Sequence, residues 1–387
     1  MRIVTTSEAA DKPASKQARI IHHLKTRMLT GEMRPGDRLP TRQALIAAYG
    51  VCMVTLQRAM DILRDDGFIV TRGRLGSFVA DAPPHLCRYG LVFPCVTTEQ
   101  QVSGPRLAHL EPPSRFMDAM AQVAMAYADD PAQELICYMA VDRELNTPGY
   151  QRLVRDIQAR RLAGLIFLHP NSSYTPGLLA GTGIPSIAYG YGHSLPGSPI
   201  FQTDHRAFID RALDFLVAQG RRRIAMLTIA VPGDDMEAHF HQAAAARGLR
   251  TGIASVLGLE PQYPWWARNA VALMLNQDPA LRPDGLIISD DHLVPSGTHA
   301  VLEARIAVPD ALMVVAHCNF VSNAPSAVRV TRLGFDVAGI LRTCLDRLAA
   351  QRRGEPVPPV TRIAPVFAPE TDPRPPHKMA RRLAHSR

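Results

Sequence analysis

Gly31-Glu-Met-Arg-Pro35-Gly36-Asp-Arg-Leu39-Pro40-Thr41, then Tyr49-Gly50-Val51, Thr55-Leu56-Gln57-Arg58-Ala59, Gly67-Phe68-Ile69-Val70 and Arg72-Gly73-Arg74-Leu75-Gly76-Ser77-Phe78-Val79 decide how the first part of this chain folds. Thr41 supplies a side-chain cap for a short helix, which Gly50 ends in a tight turn. A second helix follows, with Leu56, Ala59, Met60 and Leu63 on one stripe. Gly67 stops it. Two short apolar runs around the Gly73 to Gly76 turn then make a hairpin with arginines at its tip. This is the spacing of a helix-turn-helix followed by a hairpin wing. Before this stretch, a helix from Ser15 buries Ile20, Ile21, Leu24 and Met28 and ends at Gly31, while residues 1–14 carry no period and are expected to be disordered. The helix from Thr41 to about Tyr49 is expected to turn Ala44, Leu45 and Ala48 inward. The next, from about Cys52 to Asp66, presents Met53, Gln57 and Arg58 opposite its apolar stripe.

Taken together, the Pro-Gly-x-x-Leu-Pro-Thr entry, the Gly-Val turn, the Thr55 and Ala59 spacing and the Gly-Phe and Gly-Ser-Phe-Val wing resemble the winged helix-turn-helix of the GntR family of bacterial transcription factors. The resemblance covers residues 15–80 and implies binding to double-stranded operator DNA. It implies contacts from Arg38, Thr41, Arg42, Gln43, Met53, Thr55, Gln57, Arg58, Arg72 and Arg74, with the third helix in the major groove. The chain departs from the family where Leu-Pro-Ser-Glu-Arg and Val-Ser-Arg are usual, having Arg42-Gln43 and Cys52-Met53, and Gln57 where arginine is common. A glutamine favours adenine, and five arginines remain for phosphates.

The chain has 387 residues, 47% apolar and 20% charged, enough for two or three domains with buried cores. Its net charge of +8 suits an anionic partner. Lysine occurs only at Lys12, Lys16, Lys25 and Lys378. That leaves no Schiff-base lysine in the body for a pyridoxal-phosphate enzyme, and no Gly-x-Ser-x-Gly elbow or phosphate-binding glycine loop suggests another enzyme. No catalytic residue or cofactor is expected. Cys52, Cys87, Cys95, Cys137, Cys318 and Cys344 lack paired spacing and read as reduced, mostly buried thiols. His239 and His241 sit two apart on different helix faces, and no structural metal is expected. No stretch reaches the ~20 apolar residues of a spanning helix and no secretory signal is evident, so a cytoplasmic protein without a membrane partner is expected.

Asp81 to Cys87, with Pro83-Pro84, is expected to be a short stiff linker. Strands and helices then alternate: strands Arg88–Pro94, Glu134–Met139, Leu162–Leu168 and Ile184–Tyr189, helices Ser114–Ala128 and Thr147–Arg161. The pattern restarts with a helix at Asp204–Gly220 and strand Arg223–Ile229. Helix Met236–Arg247, strand Gly252–Leu257, helix Tyr263–Gln277, strand Pro283–Ser289, helix Val294–Ala304 and strand Ala311–Ala316 complete it. The implied fold class is α/β, two doubly wound parallel-sheet lobes behind the winged head, with a cleft at the carboxyl ends of the strands. Gln202-Thr203-Asp204, Pro283-Asp284-Gly285 leading to Asp290-Asp291, and Val308-Pro309-Asp310 leading to His317-Cys318-Asn319 resemble the LacI family's type I periplasmic-binding-protein-like domain, over residues 88–370. A GntR head on such a body resembles the arabinose-repressor subgroup. The resemblance implies a homodimeric regulator, a repressor controlled by a small molecule such as a sugar, bound by Asp291 and Asp204 with Asp290 beside them. Trp265 or Trp266 would stack on the ligand. An arginine usual near Met236 is missing. The alternative is a DNA-binding protein whose body only dimerises. Asp290 also reads as a helix cap, and residues 371–387 as a disordered basic tail.

Overall fold

The computed structural model describes residues 15–94, 115–127, 132–143, 146–169, 177–190, 195–230, 235–252, 255–260 and 263–371. The expected disorder of residues 1–14 and of the tail beyond Thr371 lies outside the described residues, as does Cys95.

In the head, helix α1 (Lys16–Leu29) begins where the Ser15 hydroxyl accepts the Ala18 amide, and α2 (Arg42–Tyr49) where Thr41 accepts that of Ala44. Gly50 ends α2 at φ 59°, left-handed backbone that glycine enters without a Cβ penalty. Helix α3 (Met53–Asp65) follows at 110° to α2, inside the range of helix-turn-helix motifs. Leu56, Ala59, Met60 and Leu63 pack with Ile20, Leu24, Met28, Leu45 and Phe68. Two expectations fail here. Ala44 and Ala48 are exposed, and α2 instead reaches the core through Leu45, Ile46 and Tyr49. A two-turn helix buries only a narrow face, and longer side chains bury more apolar area than a methyl group. The wing is an antiparallel pair, β1 (Ile69–Thr71) and β2 (Ser77–Val79), with Ile69 opposite Val79 and a single 3₁₀ turn at Gly73–Leu75.

The expected linker is not a spacer. Pro83-Pro84 opens a short helix, α4 (Pro84–Cys87), as proline does at a first helical position. Pro84, His85 and Cys87 are buried, and the His85 ring stacks on Phe68 of the head at 5.4 Å between centroids.

The body runs β3 (Arg88–Pro94), α5 (Arg115–Met125), β4 (Glu134–Val141), α6 (Pro148–Gln158), β5 (Gly164–Leu168), β6 (Ser186–Tyr189) and β7 (Ile200–Thr203). It continues with α7 (His205–Ala218), β8 (Ile224–Ile229), α8 (Met236–Ala246), β9 (Val256–Leu259), α9 (Ala267–Leu275), β10 (Gly285–Ile288), α10 (Val294–Glu303) and β11 (Met313–Phe320). It closes with β12 (Thr331–Asp336), α11 (Val337–Arg352), β13 (Val360–Ile363) and β14 (Val366–Phe367). The first sheet is ordered β13-β7-β6-β5-β3-β4 with every pair parallel. The second is β14-β12-β11-β10-β8-β9, parallel except for β14. Each sheet has an apolar core on both faces, as a doubly wound fold requires.

The lobes are not consecutive in sequence. Strand β13 crosses back to the first sheet, and α11 packs Ile340, Leu341, Leu345 and Leu348 into the first lobe's core. The strand expected at Gly252–Leu257 forms at Val256–Leu259, and the helix expected from Tyr263 begins at Ala267 after a 3₁₀ turn, Pro264–Trp266.

Candidate nucleic-acid interface and ligand cleft

On the head, Arg38, Thr41, Arg42, Gln43, Met53, Arg58 and Arg74 are exposed, as a surface meeting a phosphate backbone must be. Arg38 lies against the wing: its backbone bridges Phe78, and its guanidinium lines the space beside Gly76. Thr41 also caps α2, and its neighbours Arg42 and Gln43 stand at a helix N-terminus, where the helix dipole favours an anion. Three of the expected contacts have other partners. The Thr55 hydroxyl lies 3.3 Å from Cys52 Sγ, and the Gln57 amide donates to Asp61 Oδ1 at 2.9 Å along the helix. Arg72 pairs with Asp81 and lies over the Phe78 ring. Val54, 59% exposed beside Met53, was not among the expected contacts. Both side chains suit the methyl group of thymine.

A charged cluster joins the head to the body. Lys25 and Asp66, both buried, pair at 2.7 Å. Lys25 also donates to the Ala159 carbonyl at 2.6 Å, and Asp66 accepts from Arg161 of the first lobe. Arg161 reaches Asp156, which accepts the Tyr138 hydroxyl at 2.8 Å. Burial holds the Lys25 ammonium below its ordinary pKa although Asp66 opposes the shift. Burial also raises that of Tyr138. Asp66 is the residue that closes α3, so the helix that exposes Met53, Val54 and Arg58 ends on a side chain bonded to the body.

Between the lobes, Asp290, Asp291 and His292 follow the carboxyl end of β10, where the alternation pattern placed a cleft. Asp291 is 2% exposed and accepts the Asn319 amide at 2.8 Å on Oδ2. His292 Nδ1 lies 2.9 Å from Asp290 Oδ1 and 3.5 Å from Asp291 Oδ1. Burial, and after it the charge of Asp290, pushes the Asp291 carboxyl up to about 6. Burial opposes ionisation of Asp290 too, but hydrogen bonds and charge from His292 outweigh it and hold that carboxyl below its ordinary value. Arg115, at the start of α5 in the first lobe, is near enough for its charge to act on Asp291. Its neighbour Phe116 stacks on Tyr189 at the end of β6, 4.3 Å between centroids.

Two other expected ligand residues have structural partners in their own backbone. Asp204 caps α7, accepting the Ala207 amide at 2.9 Å, so its carboxylate has a structural partner. Asp290 does the same for its own turn, accepting the His292 amide at 2.8 Å. Trp265 is 58% exposed and Trp266 51%, neither in a core nor at the strand ends. Trp265 lines a surface recess of about 520 Å³ with Arg268, Asn269, Pro295, Ser296 and His299. His292, Asn319, His317 and Arg115 were missed as site residues. His292 could have been noticed beside Asp291, but nothing in its own spacing marks it.

The comparisons with known proteins agree with this division. Residues 16–79 match the family of bacterial regulatory proteins, gntR family, and residues 213–369 match the periplasmic binding protein-like domain. The head is similar to the HTH-type transcriptional regulator TauR of Rhodobacter capsulatus, 39% identical over 70 residues, 18% of this chain and 14% of that protein. It is also similar to the histidine utilization repressor of Klebsiella aerogenes, 32% identical over 69 residues, 18% of this chain and 29% of that one. The chain thus spans less than a third of the length of either relative. The body shares its fold with a LacI-family regulatory protein of Chloroflexus aggregans, TM-score 0.54 at 17% identity, covering 72% of this chain and 96% of that one. The Escherichia coli transcriptional repressor ascG is comparable, TM-score 0.52 at 14% identity over 73% and 97%. The protein therefore carries a GntR-family helix-turn-helix domain on a periplasmic-binding-protein-like α/β body with LacI-family structural neighbours. Among the described residues no single helix is long and apolar enough to cross a membrane.

Proposed function

We propose that this protein is a transcriptional regulator that binds a specific duplex DNA sequence through its head and is controlled by a small molecule held between the lobes. The observation that carries this reading is the double engagement of α3. Its exposed face bears Met53, Val54 and Arg58, and its far end closes on Asp66, which is bonded to Arg161 of the body. A movement of the first lobe then bears directly on the helix that meets DNA. We read the protein as a repressor, in keeping with the names of the Klebsiella and Escherichia coli relatives, and the ligand as a hydroxyl-rich molecule such as a sugar. Buried Asp291, with Asn319 and Arg115 near it, offers the acceptors and donors such a ligand needs. A homodimer suits the reading, since twofold partners read paired half-sites. Tyr263, Trp265 and Trp266 form an exposed aromatic group that a second copy would cover.

Selection of bound sequences from random duplexes, followed by gel shifts with a sugar and nucleoside panel, tests the function. One sequence should be enriched, and one ligand should release it. Asp291→Ala should keep operator binding and lose the response, with ligand affinity down at least tenfold, because a charge-assisted hydrogen bond contributes about 1.5 to 3 kcal/mol. A protein with no sequence preference would overturn the regulator reading. Sequence-specific binding with no responsive ligand would leave the body as a dimerisation module.

A further inference from the structure

The first turn of α3 exposes apolar side chains that the core of the head does not take up. Met53 is 48% exposed and Val54 59%, and Cys52 before them is exposed as well. The stripe that joins the core starts only at Leu56. The polar side chains of the same turns are engaged within the helix. Thr55 Oγ1 lies 3.3 Å from Cys52 Sγ, and Gln57 Nε2 donates to Asp61 Oδ1 at 2.9 Å. Asp61 is held in turn by Arg64, also at 2.9 Å. A glutamine reads adenine with its amide nitrogen and oxygen together. The bond to Asp61 draws the Gln57 amide along the helix toward its C-terminal end instead.

Position and charge decide what can cover this apolar pair. In a helix-turn-helix the N-terminal residues of the second helix are the ones that reach base edges. Helix α3 is that helix, at 110° to α2 across the Gly50 turn. Arg58 stands four residues after Val54, one turn along the same helix face, and it is exposed together with Arg38, Arg42 and Arg74. Such a set of cations complements a phosphate backbone, not an apolar protein surface. Phosphate contacts carry no sequence information, so a specific sequence has to be read by what remains at the start of α3. The apolar group that marks one base in the major groove is the C5 methyl of thymine. Met53 and Val54 project about 100° apart around the helix axis, so they reach separate methyl groups. The unbranched thioether chain of Met53 adapts to where its methyl lies.

We propose that Met53 and Val54 determine the operator sequence by packing on thymine methyl groups in the major groove, so that each half-site carries thymines beneath the start of α3. The inference rests on the reading of the protein as a sequence-specific regulator, and it deepens that reading by naming the base feature the head recognises. Arg58 and the other exposed arginines give affinity for any duplex, and the two apolar side chains give the choice among duplexes. Gln57, expected to favour adenine, then orders the helix through Asp61.

The test uses full-length protein and the duplex enriched by selection, with deoxyuridine placed at one thymine at a time. Deoxyuridine lacks only the C5 methyl and keeps every hydrogen-bonding group of the base. Fluorescence anisotropy should show affinity lowered roughly threefold to fivefold for each methyl that Met53 or Val54 covers, as expected for one buried apolar carbon. Met53→Ala combined with Val54→Ala should bind thymine and deoxyuridine duplexes equally at those positions. Its salt slope should match that of wild type, because no charge is removed. Alanine preserves the helix, so circular dichroism should be unchanged. Equal affinity of wild type for thymine and deoxyuridine at every position would overturn the proposal and leave the regulator reading standing, as would a double variant that still discriminates. Loss of the sequence preference in Gln57→Ala, with the double variant unaffected, would overturn it in favour of that glutamine. No enriched sequence would overturn both the proposal and the regulator reading.

Discussion

Asp66 is held by two cations from different domains, Lys25 of the head and Arg161 of the body. Removing one partner of a buried pair strands the other in low dielectric, so Asp66→Ala should lower stability by about 3–5 kcal/mol in urea unfolding. Replacing both Lys25 and Asp66 with apolar residues of similar volume should cost far less, because no charge is then left buried. On the DNA side, Arg58 is exposed and in no ion pair, so Arg58→Ala should weaken binding to every sequence and reduce the salt slope by about one. Arg72→Ala should change that slope less, since Asp81 already neutralises part of its charge. Fluorescence anisotropy over a range of salt concentrations distinguishes the two. The exposure of Arg58 was legible from its place opposite the α3 stripe. The role of Lys25 was not, because its partners lie 41 and 134 residues away.

Helix α4 shows what an element adds beyond its residues. A proline pair reads as a break, yet it starts a helix that seats His85 against Phe68. Burial there lowers the His85 pKa to about 4. The unfolded chain takes up this proton near pH 6.5 and the native state does not, so stability is full above about 6.5 and falls as the pH drops through about 4. The loss should approach roughly 3 kcal/mol, and His85→Phe should flatten the melting temperature between pH 7 and 4. An unchanged slope would move the acid sensitivity to other groups. Helix α3, with its apolar stripe, was read to within a residue at each end. Strand β7 is only four residues long and ends in polar Gln202 and Thr203, too short for its period to stand out.

At the scale of the molecule, two lobes exchange chain several times. The exposed aromatic group at Tyr263, Trp265 and Trp266 faces no core among the described residues. If a second copy covers it, Trp265→Ser combined with Trp266→Ser should leave a monomer in sedimentation velocity and weaken operator binding, while the melting of each chain changes little. A variant that remains dimeric would move the interface elsewhere. The tryptophans were expected at the ligand because an aromatic ring can stack on an apolar sugar face. Only the three-dimensional arrangement shows them on the outside.

From the sequence alone came the head with its three helices and wing, the alternation that makes two parallel sheets, and Asp291 at the end of a strand. Local period, caps and turns encode these, and each is contained within a few tens of residues. Tertiary structure decided that β13 and α11 return to the first lobe, that Lys25, Asp66 and Arg161 meet at the junction, and that Asp204 caps a helix. It also brought Asn319 and His317 beside Asp291 and His292. Contacts between residues far apart in sequence are set by how sheets and helices stack, and no local pattern of side chains carries that information.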